Sequence, residues 1–141
     1  MIQRIQTLWI FLAALIMALI NYFPTYQFSG TSMLPLTVGN DFLAIILASV
    51  SIILSIVTII RFKNRKNQLS FTWLNILLCI GLQAWLFIRV NNFRSDPVNA
   101  NIAGHYWIGT FLPLAVLLLL FMAKAGIRKD EKLVKSLDRL R

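Results

Sequence analysis

The stretch Phe42–Ile60, FLAIILASVSIILSIVTII, holds no charged residue and nothing more polar than serine and threonine, and it lies between Asp41 and Arg61. A helix of about 20 apolar residues, rising about 1.5 Å per residue, covers the ~30 Å of hydrocarbon in a bilayer. A helix on the surface of a water-soluble fold would show a charged stripe on its outer face. This stretch has none, so it reads as a membrane-crossing helix. Its small and hydroxyl residues are Ala44, Ala48, Ser51, Ser55 and Thr58, spaced by alternating steps of four and three. In lipid, helices associate through close packing of small residues and through hydrogen bonds. The stripe therefore reads as the face set against another helix. The alternative is a polar lining of a path, but serine and threonine hydroxyls readily bond their own helix backbone.

Three further apolar runs flank this one. The first extends from about Ile5 to Phe23, within a stretch free of charge from Arg4 to Asp41. The third is Phe71–Ile88, FTWLNILLCIGLQAWLFI, and the fourth runs from about Tyr106 to Ala123. The expected fold class is all-α: an integral membrane four-helix bundle forming one domain over residues 1–141. Residues 124–141 would form a short amphipathic cytoplasmic helix. The beginning, MIQR followed by LWIFLAALIMALI, has the form of a signal peptide. The following NYFPTY lacks a small-x-small cleavage site, so the run reads as an uncleaved anchor. Trp9, Tyr22, Phe23, Trp73, Trp85, Tyr106 and Trp107 lie near run ends, the usual place for interfacial aromatics.

Composition agrees. The apolar fraction is 58% and the charged fraction 13%, against about 45–50% and about 25% in soluble domains. The net charge of +9 would in a soluble domain point to nucleic acid. Here the cations flank apolar runs, and no soluble basic domain exists to bind nucleic acid. Twelve of the 14 Lys and Arg residues fall on one side of the expected membrane. They are Arg4, then Arg61, Lys63, Arg65 and Lys66, then Lys124, Arg128, Lys129, Lys132, Lys135, Arg139 and Arg141. The other side holds Arg89 and Arg94. The excess is retained in the cytoplasm, which puts both termini there.

The third run carries Thr72, Asn75, Cys79 and Gln83 on one helical face. A side-chain amide facing lipid would lack partners, so this face should point inward. It either bonds across the helices or lines a small polar cavity for a ligand. Pro113 in the fourth run removes a helix hydrogen bond and crowds the Gly109 carbonyl, which predicts a kink with Thr110 capping a freed carbonyl. The loop from Pro24 to Asp41 suits a short hairpin or an interfacial segment. The loop from Arg89 to His105 is polar, with a turn at Asp96-Pro97. The tail has an apolar stripe flanked by Arg128, Lys129, Lys132 and Lys135. Such a helix lies on anionic lipid head groups or against a partner.

The chemistry of catalysis is missing. Cys79 is the single cysteine, which excludes an internal disulfide or a thiolate zinc cluster. Asp41, Asp96, Asp130, Glu131 and Asp138 all lie outside the apolar runs, and ion-coupled carriers usually place an ionisable group inside. His105 is the lone histidine, near no nucleophile motif. No enzyme, metal or cofactor is expected.

The start MIQRIQTLW, the central KNRKNQLSFTWLNILL, the later LPLAVLLLL and the ending AGIRKDEKLVKSLDRLR resemble a family of small bacterial four-span membrane proteins catalogued as a domain of unknown function. The resemblance covers the whole chain and rests mainly on its two ends. It implies a bacterial inner-membrane location and the same four-span plan, and it brings no activity to carry over. The matching positions in the polar termini are Ile2, Gln3, Arg4 and Gln6 at one end, and Arg128, Lys129, Asp130, Glu131, Asp138 and Arg139 at the other. If both ends are cytoplasmic they share a surface, with Gln3 and Arg4 near Asp130 or Glu131. The expected role is a non-enzymatic accessory or structural component, with lipid bilayer, anionic head groups and a membrane-protein partner or second copy as neighbours. The alternative is a lipid or small-molecule binder using the third-run polar face.

Overall fold

The computed structural model describes residues 2–29, 34–61, 64–97, 99 and 102–139. Lys63 and Arg141 lie outside the described residues, as do the side chains of Arg4, Lys135 and Arg139. The chain is mostly helical: α1 (Ile2–Leu19), α2 (Phe42–Ile60), α3 (Arg65–Ser95) and α4 (Ile108–Arg139). Each helix packs on two others in the cyclic order α1, α2, α3, α4 and back to α1. By length and composition, α2, α3 and the Ile108–Val134 part of α4 can each cross a membrane, while the described apolar part of α1 is Ile5–Leu19.

Every helix buries a face at the spacing of four and three. In α1 it is Gln6, Ile10, Ala13 and Met17, with Ile20 just past its end; in α4 it is Thr110, Pro113, Val116, Leu120, Ala123, Ile127 and Asp130. This is the ~3.5-residue seam that keeps two helices in contact along their length. The largest buried cluster joins Met17, Ile76, Leu82, Leu86, Val116 and Leu120 at mid-height.

The expectation of an all-α chain needs correction. A three-stranded antiparallel sheet, in the order β2-β1-β3, connects β1 (Pro24–Phe28), β2 (Leu36–Thr37) and β3 (Gly104–Tyr106). The hairpin expectation fits β1 with β2. The pairing of Tyr26 with Tyr106 and of Phe28 with Gly104 joins two loops far apart in sequence, and no local pattern signals it. Tyr26, Phe28 and Val90 form a small core beneath the sheet, with Phe93 and Tyr106 against it. Helix α4 accordingly starts at Ile108 rather than Tyr106.

The separate tail helix is a second correction. Residues 124–139 continue α4, and Pro113 sits inside that same helix. Lysine, alanine, arginine, glutamate and leucine favour helix, and no proline occurs between Ala123 and Arg139, where Gly126 is the single weak helix former. Likewise α3 extends beyond the apolar run at both ends, taking Arg65 and Lys66 into its first turn.

Candidate functional site

Three polar clusters and one groove stand out, at three heights of the helix ring. The first is at mid-height between α2 and α3. All five stripe residues of α2, Ala44, Ala48, Ser51, Ser55 and Thr58, are buried, as are Thr72, Asn75, Cys79 and Gln83 of α3. Ser51 Oγ donates to Asn75 Oδ1 at 2.6 Å, and Asn75 Nδ2 donates to Ser55 Oγ at 2.8 Å. Ser55 Oγ in turn donates to the Ser51 carbonyl at 2.9 Å. Cys79 Sγ lies 3.6 Å from Ser51 Oγ. Thr58 and Thr72 instead bond the carbonyls of Leu54 and Gln68 one turn back. Both amide atoms of Asn75 thus find a partner on the facing helix. Gln83, two turns along the same face, is different: both its amide atoms are buried and, among the described residues, have no hydrogen-bond partner. The antiparallel register set by Ser51 and Asn75 puts it level with Ala44 and Ala48, which offer no polar side chain.

The second cluster is a knot where α2 begins, at the sheet end. Asp41 Oδ1 accepts from the backbone N–H of Leu43 and Ala44 and caps α2, satisfying groups that a helix start leaves open. Its other oxygen, Oδ2, takes the Trp85 indole N–H at 2.9 Å and lies 3.2 Å from Arg89 Nε. Arg89 also donates to the Thr37 carbonyl at 2.8 Å. One carboxylate therefore joins α2 to α3, and Arg89 ties β2 to both. Sequence reading gave Trp85 and Arg89 interfacial roles only. The signal for Asp41 was available: an aspartate just before an apolar run is a helix-start signature. Beside this knot, Thr110 Oγ1 donates to the Thr25 carbonyl of β1 rather than to a carbonyl of its own helix. A Cβ on Gly109 would come within 2.5 Å of the Pro24 carbonyl oxygen, so only glycine lets α4 start this close to β1.

At the opposite end, which holds both chain ends, α1, α3 and α4 converge on Asp130. Its side chain is 6% exposed. Gln6 Nε2 donates to Asp130 Oδ2 at 2.6 Å across 124 residues of sequence, and Arg65 Nη1 donates to the Asp130 carbonyl at 2.7 Å. Gly126, one turn before Asp130, sits under Gln6: a Cβ there would meet Gln6 Cγ at 2.7 Å. Ile10, Ala123 and Ile127 pack just inside. The two ends do meet, through Gln6 where Gln3 and Arg4 were expected. Those two side chains lie outside the described residues.

The outer side of the same end carries a groove of about 690 Å³ between α3 and α4. Leu69, Phe121 and Ala125 line it together with Lys124, Arg128, Lys129 and Lys132, and Glu131 is its acidic member. Lys124 Nζ stands 3.3 Å above the Trp73 ring centre, a cation–π contact. Arg61 and Lys66 are exposed and do not line this groove. His105 lies in β3 against the Trp107 ring. Among the described residues, no group of three or more His, Cys, Asp or Glu could hold a metal.

No curated protein and no solved structure matches the chain. The profile of the family described as "Domain of unknown function (DUF4293)" matches residues 2–140, so the chain belongs to that family.

Proposed function

We propose that this chain is an integral membrane four-helix bundle of the bacterial inner membrane, with both termini cytoplasmic. It serves there as a non-enzymatic accessory or structural component of a larger membrane assembly. The observation behind the proposal is the direction in which residues face. In α2 the buried residues are alanine, serine and threonine, while Ile46, Val50, Ile53 and Ile56 are exposed. Leu77 and Ile80 of α3, and Leu114 and Leu118 of α4, are exposed too. This is the reverse of a soluble helix and suits lipid, where small and hydroxyl residues make the close contacts. The cations gathered at one end support the orientation.

The test is a wash of membranes at alkaline pH, followed by purification of the tagged protein in mild detergent and mass spectrometry of what accompanies it. The expected result is retention in the washed membrane and a stoichiometric protein partner that is lost when residues 131–141 are deleted. Release by alkali would sink the membrane reading. A chain retained but alone would sink the accessory role.

The unpartnered Gln83 amide favours a second reading, a binder of a small polar ligand within the helix ring. Under that reading Gln83→Leu abolishes binding of the ligand. Under the accessory reading the same change leaves partner recovery intact and raises stability, because a buried amide without partners is unfavourable by about 1–3 kcal/mol.

A further inference from the structure

Helix α4 presents two neighbouring rows to the groove. Lys124, Arg128 and Lys132 follow one another at four-residue steps, and Phe121, Ala125 and Lys129 form the adjacent row. Residues four apart are neighbours on a helix surface, so each row is continuous. Leu69 of α3 closes the far side. The groove has an apolar floor and a cationic rim, with four cations against the one carboxylate of Glu131. Lys124 is held over Trp73 and also lies 5.4 Å from the centre of the Phe121 ring, so one cation is already positioned. Immediately beyond Phe121 the exposed surface turns apolar, with Leu118 and Met122 on α4 and Leu77 on α3.

We propose that this groove binds the head group of an anionic phospholipid. The phosphate lies among Lys124, Arg128 and Lys132, and an acyl chain runs over Leu69 and Phe121 onto the apolar surface. The inference rests on the membrane reading above, which supplies the lipid. Charge complementarity selects an anion. The apolar floor selects an amphiphile, since a free phosphate gains nothing from Leu69, Phe121 or Ala125.

The test uses the full chain in neutral detergent and native mass spectrometry, with phosphatidylglycerol, phosphatidylcholine and glycerol phosphate added in turn. Arg128→Gln/Lys132→Gln removes two rim charges and spares the Lys124–Trp73 contact. Arg61→Gln/Arg94→Gln removes the same charge from exposed residues that do not line the groove. A cation near anionic lipid contributes about a factor of five, so the groove pair should weaken phosphatidylglycerol binding by about thirtyfold. The control pair should keep the preference for phosphatidylglycerol over phosphatidylcholine. Equal loss in both pairs, or retained preference in the groove pair, would overturn the site. Glycerol phosphate binding as tightly as the lipid would overturn the lipid assignment. Alkali extraction of the same variants separates the two claims, since a protein that stays in washed membranes yet shows no lipid preference fails only the site.

Discussion

The two ends of the helix ring are closed in different ways. At the sheet end backbone pairing leads: β1 pairs with β2 on one side and β3 on the other, and the Asp41 side chain adds ties from α2 to Trp85 and Arg89. At the end near Asp130 the ties run through the long side chains of Gln6 and Arg65. The glycines follow the same division. At Gly109 the opposing atoms are backbone carbonyls, whereas at Gly126 they belong to the Gln6 side chain. Backbone cannot yield without moving a strand, but a side chain can change rotamer. The sheet end is therefore the rigid one, and the Asp130 end has room to adjust.

Substitutions can break this contrast. The largest effect is expected for Gly109→Ala, where the added methyl meets the Pro24 carbonyl. It should lower stability by about 3 kcal/mol, the upper range for forced insertion into a packed site, read as thermal unfolding in neutral detergent. An unchanged midpoint would mean that the start of α4 is not pinned to β1. Next, Asp41→Ala should destabilise by about 2–3 kcal/mol, through loss of a helix cap and of the partner for Trp85 and Arg89. Gln6→Ala should remain within about 1–2 kcal/mol. Denaturant titration of both variants sharpens the comparison, and a reversed order would refute it. Smallest is Gly126→Ala. The helix propensity of alanine favours it by about 1 kcal/mol and offsets the displacement of Gln6, so stability should change by less than about 1 kcal/mol. Limited proteolysis near residues 124–132 should show the altered seat of Gln6 as faster cleavage.

The legible parts of the fold are those where polarity changes at the same residue as backbone structure. Helix α2 is the clearest case, because its apolar run is bounded by Asp41 and Arg61 and the helix ends there too. The apolar run Phe71–Ile88 marked only the middle of α3. Its flanks RKNQLS and RVNNFRS are polar yet helix-compatible, and no breaker comes before Asp96-Pro97. Hydropathy reports a solvent, not a helix boundary. The α2 and α3 stripes were legible because periodicity alone tells which residues share a face. Which atoms would pair was not. Asn75 finds Ser51 and Ser55 while Gln83 finds none among the described residues, and that depends on what the facing helix offers at each level. The sheet, the Gln6–Asp130 bond and the groove all join segments remote in sequence, where spacing along one element is silent.

The Gln6–Asp130 contact has a consequence for the order of assembly. Its partners are separated by 124 residues, so the seam between α1 and α4 can close only after nearly all of the chain has left the ribosome. Until then α1 has α2 at one flank and nothing at the other. Contacts this remote pay their loop-closure entropy last and slow the final step of folding. Synthesis that stops short of Ile108 would leave a three-helix intermediate with the α1 seam exposed, the form most open to quality-control proteases or to pairing with the α4 of another copy.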